Sequence, residues 1–236
     1  MIQFYSPDIE ESLTLPESDS GHCIRVLRMS EGDAVEVVDG RGHVYRCHIA
    51  VAHPKRTRLS IDEVVERPKV WPGNITIAVA PTKNNDRMEW LVEKLVEIGV
   101  DRIVPLRCRH SERKEINTER LVKIAVSAMK QSLKAILPAI EPMTSLHAFL
   151  DSRAGGQNFV GYCDPAIPRV NLAKAYQPGL DTAILIGPEG DFDPAEIRDC
   201  LDRGWQPVTM GDNRLRTETA ALVACDTCHI INQVKL

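Results

Sequence analysis

Apolar and polar positions alternate along the first part of the chain. In Ala34-Val35-Glu36-Val37-Val38 and again from Val44 to Val51 the period is two, which sets Tyr45, Cys47, Ile49 and Val51 on one face. Asp39-Gly40-Arg41-Gly42 between these runs has turn chemistry, so residues 34–51 are expected to form a β-hairpin. Leu59 and Ile61 begin another strand, and short strands packed into about 70 residues suggest a small β-barrel. The segment Arg67-Pro68-Lys69-Val70-Trp71-Pro72-Gly73 breaks the pattern and marks an expected boundary between domains 1–70 and 71–236.

Beyond that boundary the periodicity changes. Ile75, Ile77 and Val79 mark a strand, whereas Met88, Leu91, Val92, Leu95 and Ile98 recur at helical spacing before the natural stop at Gly99. Residues 103–106 read as a strand, and Leu121, Ile124, Ala125, Ala128 and Met129 form a second helix face. Residues 158–162 and 183–186 are continuous apolar runs, as expected for parallel strands buried on both sides. Alternating strands and helices predict an α/β layer architecture.

Two strand-to-helix junctions carry more polar chemistry than a turn requires. The run 183–186 leads into Gly187-Pro188-Glu189-Gly190-Asp191-Phe192, then into Asp193-Pro194-Ala195-Glu196, a capping residue, an N1 proline and a glutamate three residues after the cap. The glycine loop is either a tight turn or a ligand site, because loops beyond the carboxyl ends of parallel strands are where ligands bind in open sheets. It is neither a P-loop nor a dinucleotide-binding turn. The second junction is Met210-Gly211-Asp212-Asn213-Arg214-Leu215-Arg216-Thr217-Glu218-Thr219. A threonine can cap the following helix and Glu218 suits its first turn, but Arg214 and Arg216 oppose the helix dipole and are left unexplained by capping. Pro81-Thr82-Lys83 with Arg87 places further charge at the end of the strand 75–79.

Composition narrows the class. With 43% hydrophobic and 26% charged residues in 236, the chain has the balance of a folded globular protein, and no apolar run approaches the roughly 18 residues of a bilayer span. The N-terminal sequence has no signal-peptide pattern, so a cytoplasmic location without membrane association is expected. Seven cysteines, an odd number, then read as reduced, mostly buried thiols. Cys225-Asp226-Thr227-Cys228-His229 matches a haem-attachment spacing but falls within an apolar helix, and no ligand set suggests a metal. The net charge of −4 gives no general attraction to nucleic acid. Locally it differs: between Arg102 and Lys134 nine Lys/Arg face Glu112, Glu115 and Glu119, a net of +6. Between His22 and Leu59 seven bases face four acids. Either cluster is a solvated face or a holder of phosphates.

The chain resembles the RsmE-type family of 16S ribosomal RNA (uridine-N3) methyltransferases in the SPOUT superfamily. The resemblance is carried by His22-Cys23-Ile24-Arg25-Val26-Leu27-Arg28 with Glu31-Gly32-Asp33, by Lys83 through Glu89, by residues 94–100, by Ser111-Glu112-Arg113, and by Leu185-Ile186-Gly187-Pro188-Glu189-Gly190 with Leu215-Arg216-Thr217-Glu218-Thr219-Ala220. Two departures are Lys130-Gln131-Ser132-Leu133-Lys134, where the family pattern differs, and Asp191, where glycine is common. The resemblance implies a small N-terminal PUA-like β-barrel, a SPOUT domain with a C-terminal trefoil knot, a homodimer, S-adenosyl-L-methionine as cofactor, and a uridine in the decoding region of 16S rRNA in the 30S subunit as target. It further implies that Ile186, Gly187, Pro188, Glu189, Gly190, Met210, Gly211, Leu215 and Thr217 hold the cofactor. Arg216 and Glu218 would act in catalysis, and Arg25, Arg28, Lys83, Arg87, Arg109, Arg113, Lys130 and Lys134 would contact RNA. Such chemistry needs no metal.

Overall fold

The computed structural model describes residues 2–153, 155–164 and 166–235, with the side chain of Lys235 left out. The chain divides into two compact units, one of residues 1–70 with 126–137 and the other of residues 71–125 with 138–236. The first therefore contains a segment distant in sequence that no boundary drawn at a single point would include.

In the first unit, β1 (Gln3–Tyr5), β2 (Ala34–Val38), β3 (His43–Val51) and β4 (Arg58–Glu66) pair in that order. The β2–β3 hairpin is antiparallel as its turn chemistry requires, and β1 joins β2 in parallel, giving a small mixed sheet. Tyr45, Cys47 and Ile49 lie in the core, but Val51 is 42% exposed. A register irregularity between Ile49 and Val51 ends the alternation and turns that side chain outward. The stretch before the hairpin is helical, in α1 (Ile9–Ser12), α2 (Glu17–Gly21) and a π-helix (His22–Val26). Short segments without a sustained apolar period leave no such signal in sequence.

Asp39 anchors the hairpin turn. Its buried carboxylate accepts from the Arg41 and His43 backbone amides at 2.7 and 3.2 Å and lies 2.8 Å from the His43 ring. Burial alone would raise its pKa, but these bonds and the nearby Arg41 guanidinium outweigh that penalty and hold it below the ordinary value.

In the second unit, β5 (Ile75–Val79), α3 (Asn85–Ile98), β6 (Arg102–Arg107), α4 (Thr118–Gln131), β7 (Ala139–Ile140), β8 (Thr144–Ser145), α5 (Leu146–Ser152), β9 (Gln157–Gly161), β10 (Val170–Asn171), α6 (Leu172–Ala175), β11 (Thr182–Ile186), α7 (Pro194–Asp202), β12 (Gln206–Thr209) and α8 (Thr217–Lys235) follow in order. The last residues of α4 belong to the first unit. The sheet order is β10-β12-β9-β11-β5-β6-β7, with β8 also on β6, and its pairings are parallel. Every residue of β5 and β11 is buried, as their unbroken apolar runs demand for central strands. The expected α/β architecture is present.

Helix α8 is fastened to α3 at Gly99. The Cys225 thiol donates to the Gly99 carbonyl at 3.3 Å, and the buried His229 Nε2 lies 2.6 Å from the same oxygen, which requires a donating ring nitrogen. His229 also meets Trp71 edge to face at 5.1 Å. The cysteine–histidine spacing thus serves packing, and burial drives the Cys225 and Cys228 thiols well above their ordinary pKa.

Two outcomes test these anchors. Gly99 has φ +128°, and a Cβ there would lie 2.8 Å from the Trp71 ring and 3.0 Å from His229. Gly99→Ala is expected to cost about 2 kcal/mol or more in denaturant unfolding. Asp39 has a folded pKa below its unfolded one, so its contribution is full above about pH 4 and is lost as pH falls through the lower folded value. The acid limb of a stability–pH curve is expected to flatten in Asp39→Asn.

Candidate active site

The carboxyl ends of β9, β11 and β12 converge. Ile186 closes β11 in the core, and a Cβ on Gly161 at the end of β9 would lie 3.2 Å from Ile186 Cδ1 and 3.4 Å from Met210 Cε. The three strand ends thereby form one apolar wall with a glycine as its floor. Gly161 is a site residue that sequence reasoning treated only as part of a strand; a glycine ending an otherwise apolar run was its available signal.

The loop after β11 is braced from within. A Cβ on Gly187 would sit 2.9 Å from the buried Phe192 ring, so the turn requires glycine there. Asp191 adopts φ +63°, the left-handed conformation that glycine would enter freely. Its carboxylate accepts from the Phe192 amide at 2.9 Å and from the Cys163 amide at 3.1 Å, which ties the β11 loop to the β9 loop. Asp191 thus reproduces the backbone of a glycine and adds a cross-link that glycine cannot make. The expected helix start beyond it is present, with Asp193 and Glu196 completing a capping box on α7.

The loop after β12 joins the same place through Thr217. Its buried hydroxyl donates to the Gly187 carbonyl at 3.1 Å, linking the two polar junctions. The threonine is therefore a loop-to-loop tie. Gly211 has φ +134° and open space where a Cβ would stand, so its backbone is accessible from that side. Pro188 is buried, Glu189, Gly190 and Gly211 are exposed, and Met210 and Leu215 are half-buried.

Charge is arranged unevenly around these loops. Arg87, on the first turn of α3, has its guanidinium 3.7 Å from Glu189 in the loop after β11 and 3.7 Å from Glu218 in the first turn of α8. Both separations exceed hydrogen-bond length, so Arg87 balances the pair electrostatically without closing on either. Glu218 is 6% exposed, and its Oε2 is buried without a hydrogen-bond partner. Arg216 stands at the entry to α8, its carbonyl accepting the Ala220 amide at 2.7 Å. Its exposed side chain has no ion pair or hydrogen bond among the described residues. Arg214 is also exposed and acts electrostatically on Cys163.

The other expected RNA contacts are distributed differently. In the second unit Lys83 pairs with Glu112 at 3.1 Å, Arg109 with Asp193 at 3.3 Å, and Arg113 donates to the carbonyls of Thr82 and Lys83. In the first unit Lys130 pairs with Asp19 at 2.9 Å and the Lys134 carbonyl accepts from Gln3, while Arg25 and Arg28 are exposed. A cleft of about 430 Å³ opens beside Arg107, Arg109, Lys114, Asp193 and Glu196. None of the residues expected to hold a cofactor lines it, so concavity and strand-end geometry point to different places. The strand ends have the stronger case, because they present glycine backbone and an unsatisfied buried carboxylate. Among the described residues no cluster of His, Cys, Asp or Glu suited to a metal occurs, and no helix is long and apolar enough to cross a membrane.

A parallel sheet whose strand-end loops meet at one edge, accompanied by a small mixed-sheet unit, is the layout to be matched. Comparison with known proteins gives the class, an RNA methyltransferase: residues 69–229 match the RNA methyltransferase domain and residues 15–62 the RNA methyltransferase PUA domain. Ribosomal RNA small subunit methyltransferase E of Synechocystis sp. is 30% identical over 225 residues, 92% of this chain and 72% of that protein. The crystal structure of a probable rRNA-methyltransferase from Porphyromonas gingivalis superposes with a TM-score of 0.96 at 45% identity, covering both chains fully. A ribosomal RNA small subunit methyltransferase E from Neisseria gonorrhoeae, solved bound to S-adenosyl methionine, gives a TM-score of 0.87 at 25% identity, with 98% of each chain covered. The chain belongs to the RNA methyltransferase family that includes ribosomal RNA small subunit methyltransferase E.

The tie between the two loops is testable by itself. Thr217→Val keeps the side-chain shape but removes the donor to the Gly187 carbonyl. A loss of about 1–2 kcal/mol in denaturant unfolding is expected.

Proposed function

We propose that this protein is an S-adenosyl-L-methionine-dependent methyltransferase acting on N3 of a uridine in the decoding region of 16S rRNA in the 30S subunit. The observation that carries the reading is the joining of the Gly187–Gly190 and Met210–Thr217 loops, with Arg216 exposed and unpaired at their edge. The cofactor-bound relative of the same fold and family membership support it. In this reading the cofactor lies against the backbone of Ile186, Gly187, Pro188, Glu189 and Gly190 and of Met210, Gly211, Leu215 and Thr217. The residues fit such a group: Gly161, Ile186 and Met210 offer an apolar wall, and Gly211 leaves its backbone uncovered. The bound cofactor supplies a methyl group activated by its sulfonium.

The protein's own part is to prepare the base. Uridine N3 must lose its proton before it can act as a nucleophile, and negative charge then spreads to the flanking carbonyl oxygens. Arg216, with no internal carboxylate to satisfy, is suited to stabilise that charge as it develops. Glu218 holds a buried oxygen without a donor, which makes it the acceptor for a ligand N–H or the proton itself. Arg87 lies 3.7 Å from both Glu189 and Glu218, which supports a role for it in orienting the Glu218 carboxylate as well as in contacting RNA. Arg25, Arg28, Lys83, Arg109, Arg113, Lys130 and Lys134 remain the proposed RNA contacts, those already paired within the chain having to exchange partners to serve. A cytoplasmic homodimer completes the reading.

Calorimetric titration with S-adenosyl-L-methionine, followed by mass mapping of methylated 16S rRNA, tests the proposal. Binding and N3-methyluridine are expected. Absence of binding would leave a non-catalytic RNA-binding factor, and a methyl group on transfer RNA or on another rRNA atom would assign a different substrate. Arg216→Ala is expected to lower methyl transfer by about 10²–10³-fold with cofactor affinity kept.

A further inference from the structure

The glycine loop after β11 is fixed at both ends, and one of the two anchors is a residue that departs from the family pattern. At the first end the Gly187 carbonyl accepts the Thr217 hydroxyl. At the other end Asp191 meets two neighbouring loops. Its Oδ2 accepts the Cys163 amide at 3.1 Å in the loop after β9. Its carbonyl lies 3.2 Å from Nδ1 of His110 in the loop after β6, which requires the proton on that nitrogen. Between the anchors Pro188-Glu189-Gly190 make a turn, closed by the Asp191 amide on the Pro188 carbonyl at 2.9 Å.

Both carboxylate oxygens of Asp191 are engaged, because Oδ1 accepts the amide of buried Phe192 at 2.9 Å. The Cys163 peptide is also gripped from its other side, where Arg169 donates to the Tyr162 and Cys163 carbonyls at 2.8 and 3.2 Å. The bond from Asp191 to Cys163 therefore joins two segments that are each already ordered, and little further ordering is needed to make it. Asp191 holds φ +63°, a conformation that glycine reaches without strain. Backbone geometry thus gives no reason for an aspartate at this position. What aspartate adds over glycine is the pair of carboxylate bonds, and one of them crosses between loops.

We propose that Asp191 is a positioning residue for the cofactor: its carboxylate holds the loops after β9 and β11 at the separation the cofactor needs, so the pocket is formed before the cofactor arrives. This rests on the reading of residues 186–190 as a wall of the cofactor site. A pocket present in its binding form only part of the time has its affinity reduced by that fraction. A carboxylate bridging two amides keeps the fraction high, since hydrogen bonds to an ionised acceptor are the stronger kind. Asp191 touches neither the methyl group nor the base in this scheme, so transfer from a filled pocket does not depend on it.

The test compares D191G and D191N with the unaltered chain. D191G keeps the left-handed backbone and loses both carboxylate bonds, whereas D191N keeps the conformation and one acceptor oxygen. In calorimetric titration D191G is expected to bind S-adenosyl-L-methionine and its demethylated product, S-adenosyl-L-homocysteine, about 3–10-fold more weakly, with D191N in between. KM for S-adenosyl-L-methionine is expected to rise by the same factor while kcat changes by less than about twofold. A merely destabilised protein would instead lose kcat with KM kept. In the ligand-free protein the Cys163 amide is expected to exchange with solvent about 10-fold faster in D191G. Unchanged affinity or unchanged exchange in D191G overturns the proposal, as does a loss carried by kcat. A loss confined to S-adenosyl-L-methionine also overturns it, because Asp191 would then act on the sulfonium charge. Failure of the unaltered chain to bind either compound overturns the cofactor reading, and the exchange measurement still decides whether Asp191 ties the two loops.

Discussion

Helix α8 is held at two glycine carbonyls, and the site depends on both. Thr217 at its first turn donates to Gly187, and Cys225 and His229 further along meet Gly99. One anchor belongs to the loop after β11 and the other to the end of α3, so the helix fixes its N-terminal turn against the strand ends. Neither carbonyl is an ordinary ladder acceptor. A buried carbonyl without a donor is costly, and supplying that donor from a distant helix converts a local need into a tertiary tie. The position of Arg216 and Glu218 follows from that tie, because they flank Thr217 in sequence.

Around the strand ends several locally costly arrangements occur together. Asp191 is in the left-handed region, Glu218 retains a buried oxygen without a partner, and Arg87 stands between two carboxylates without bonding to either. Each is a small cost, and their proximity supports the proposal that a ligand binds there. The same fold meets its polar needs fully at the α7 start, where the capping box satisfies both residues.

The two basic clusters show why charge counted along a sequence is an incomplete guide. The window with net +6 contains cations whose partners lie far away in sequence, such as Glu141 and Asp193. In the smaller cluster Arg41 pairs with Asp39 and Arg46 with Glu63, whereas Arg25, Arg28, Lys55, Arg56 and Arg58 are exposed without an ion pair among the described residues. Affinity for phosphate follows the field left after pairing, and pairing is a property of the fold.

By itself the sequence determined the α/β class, the hairpin at 34–51, the central strands 75–79 and 183–186, the α3 face and the capping box at Asp193, because each rests on local periodicity or chemistry within a few residues. It also carried the family, through the Gly-Pro-Glu-Gly and Leu-Arg-Thr-Glu-Thr-Ala segments. Only the tertiary structure decided that residues 126–137 belong with the first unit, that Val51 turns outward, and that Gly161 lies against Ile186 and Met210. It likewise decided that Thr217 ties two loops instead of capping a helix, that Asp191, standing where glycine is common, braces its loop, and that Cys225 and His229 secure Gly99. The physical reason is the same throughout. Periodicity records which side of an element is buried, whereas the partner of a hydroxyl, a carbonyl or a guanidinium is set by which distant segments the packed sheet brings beside it.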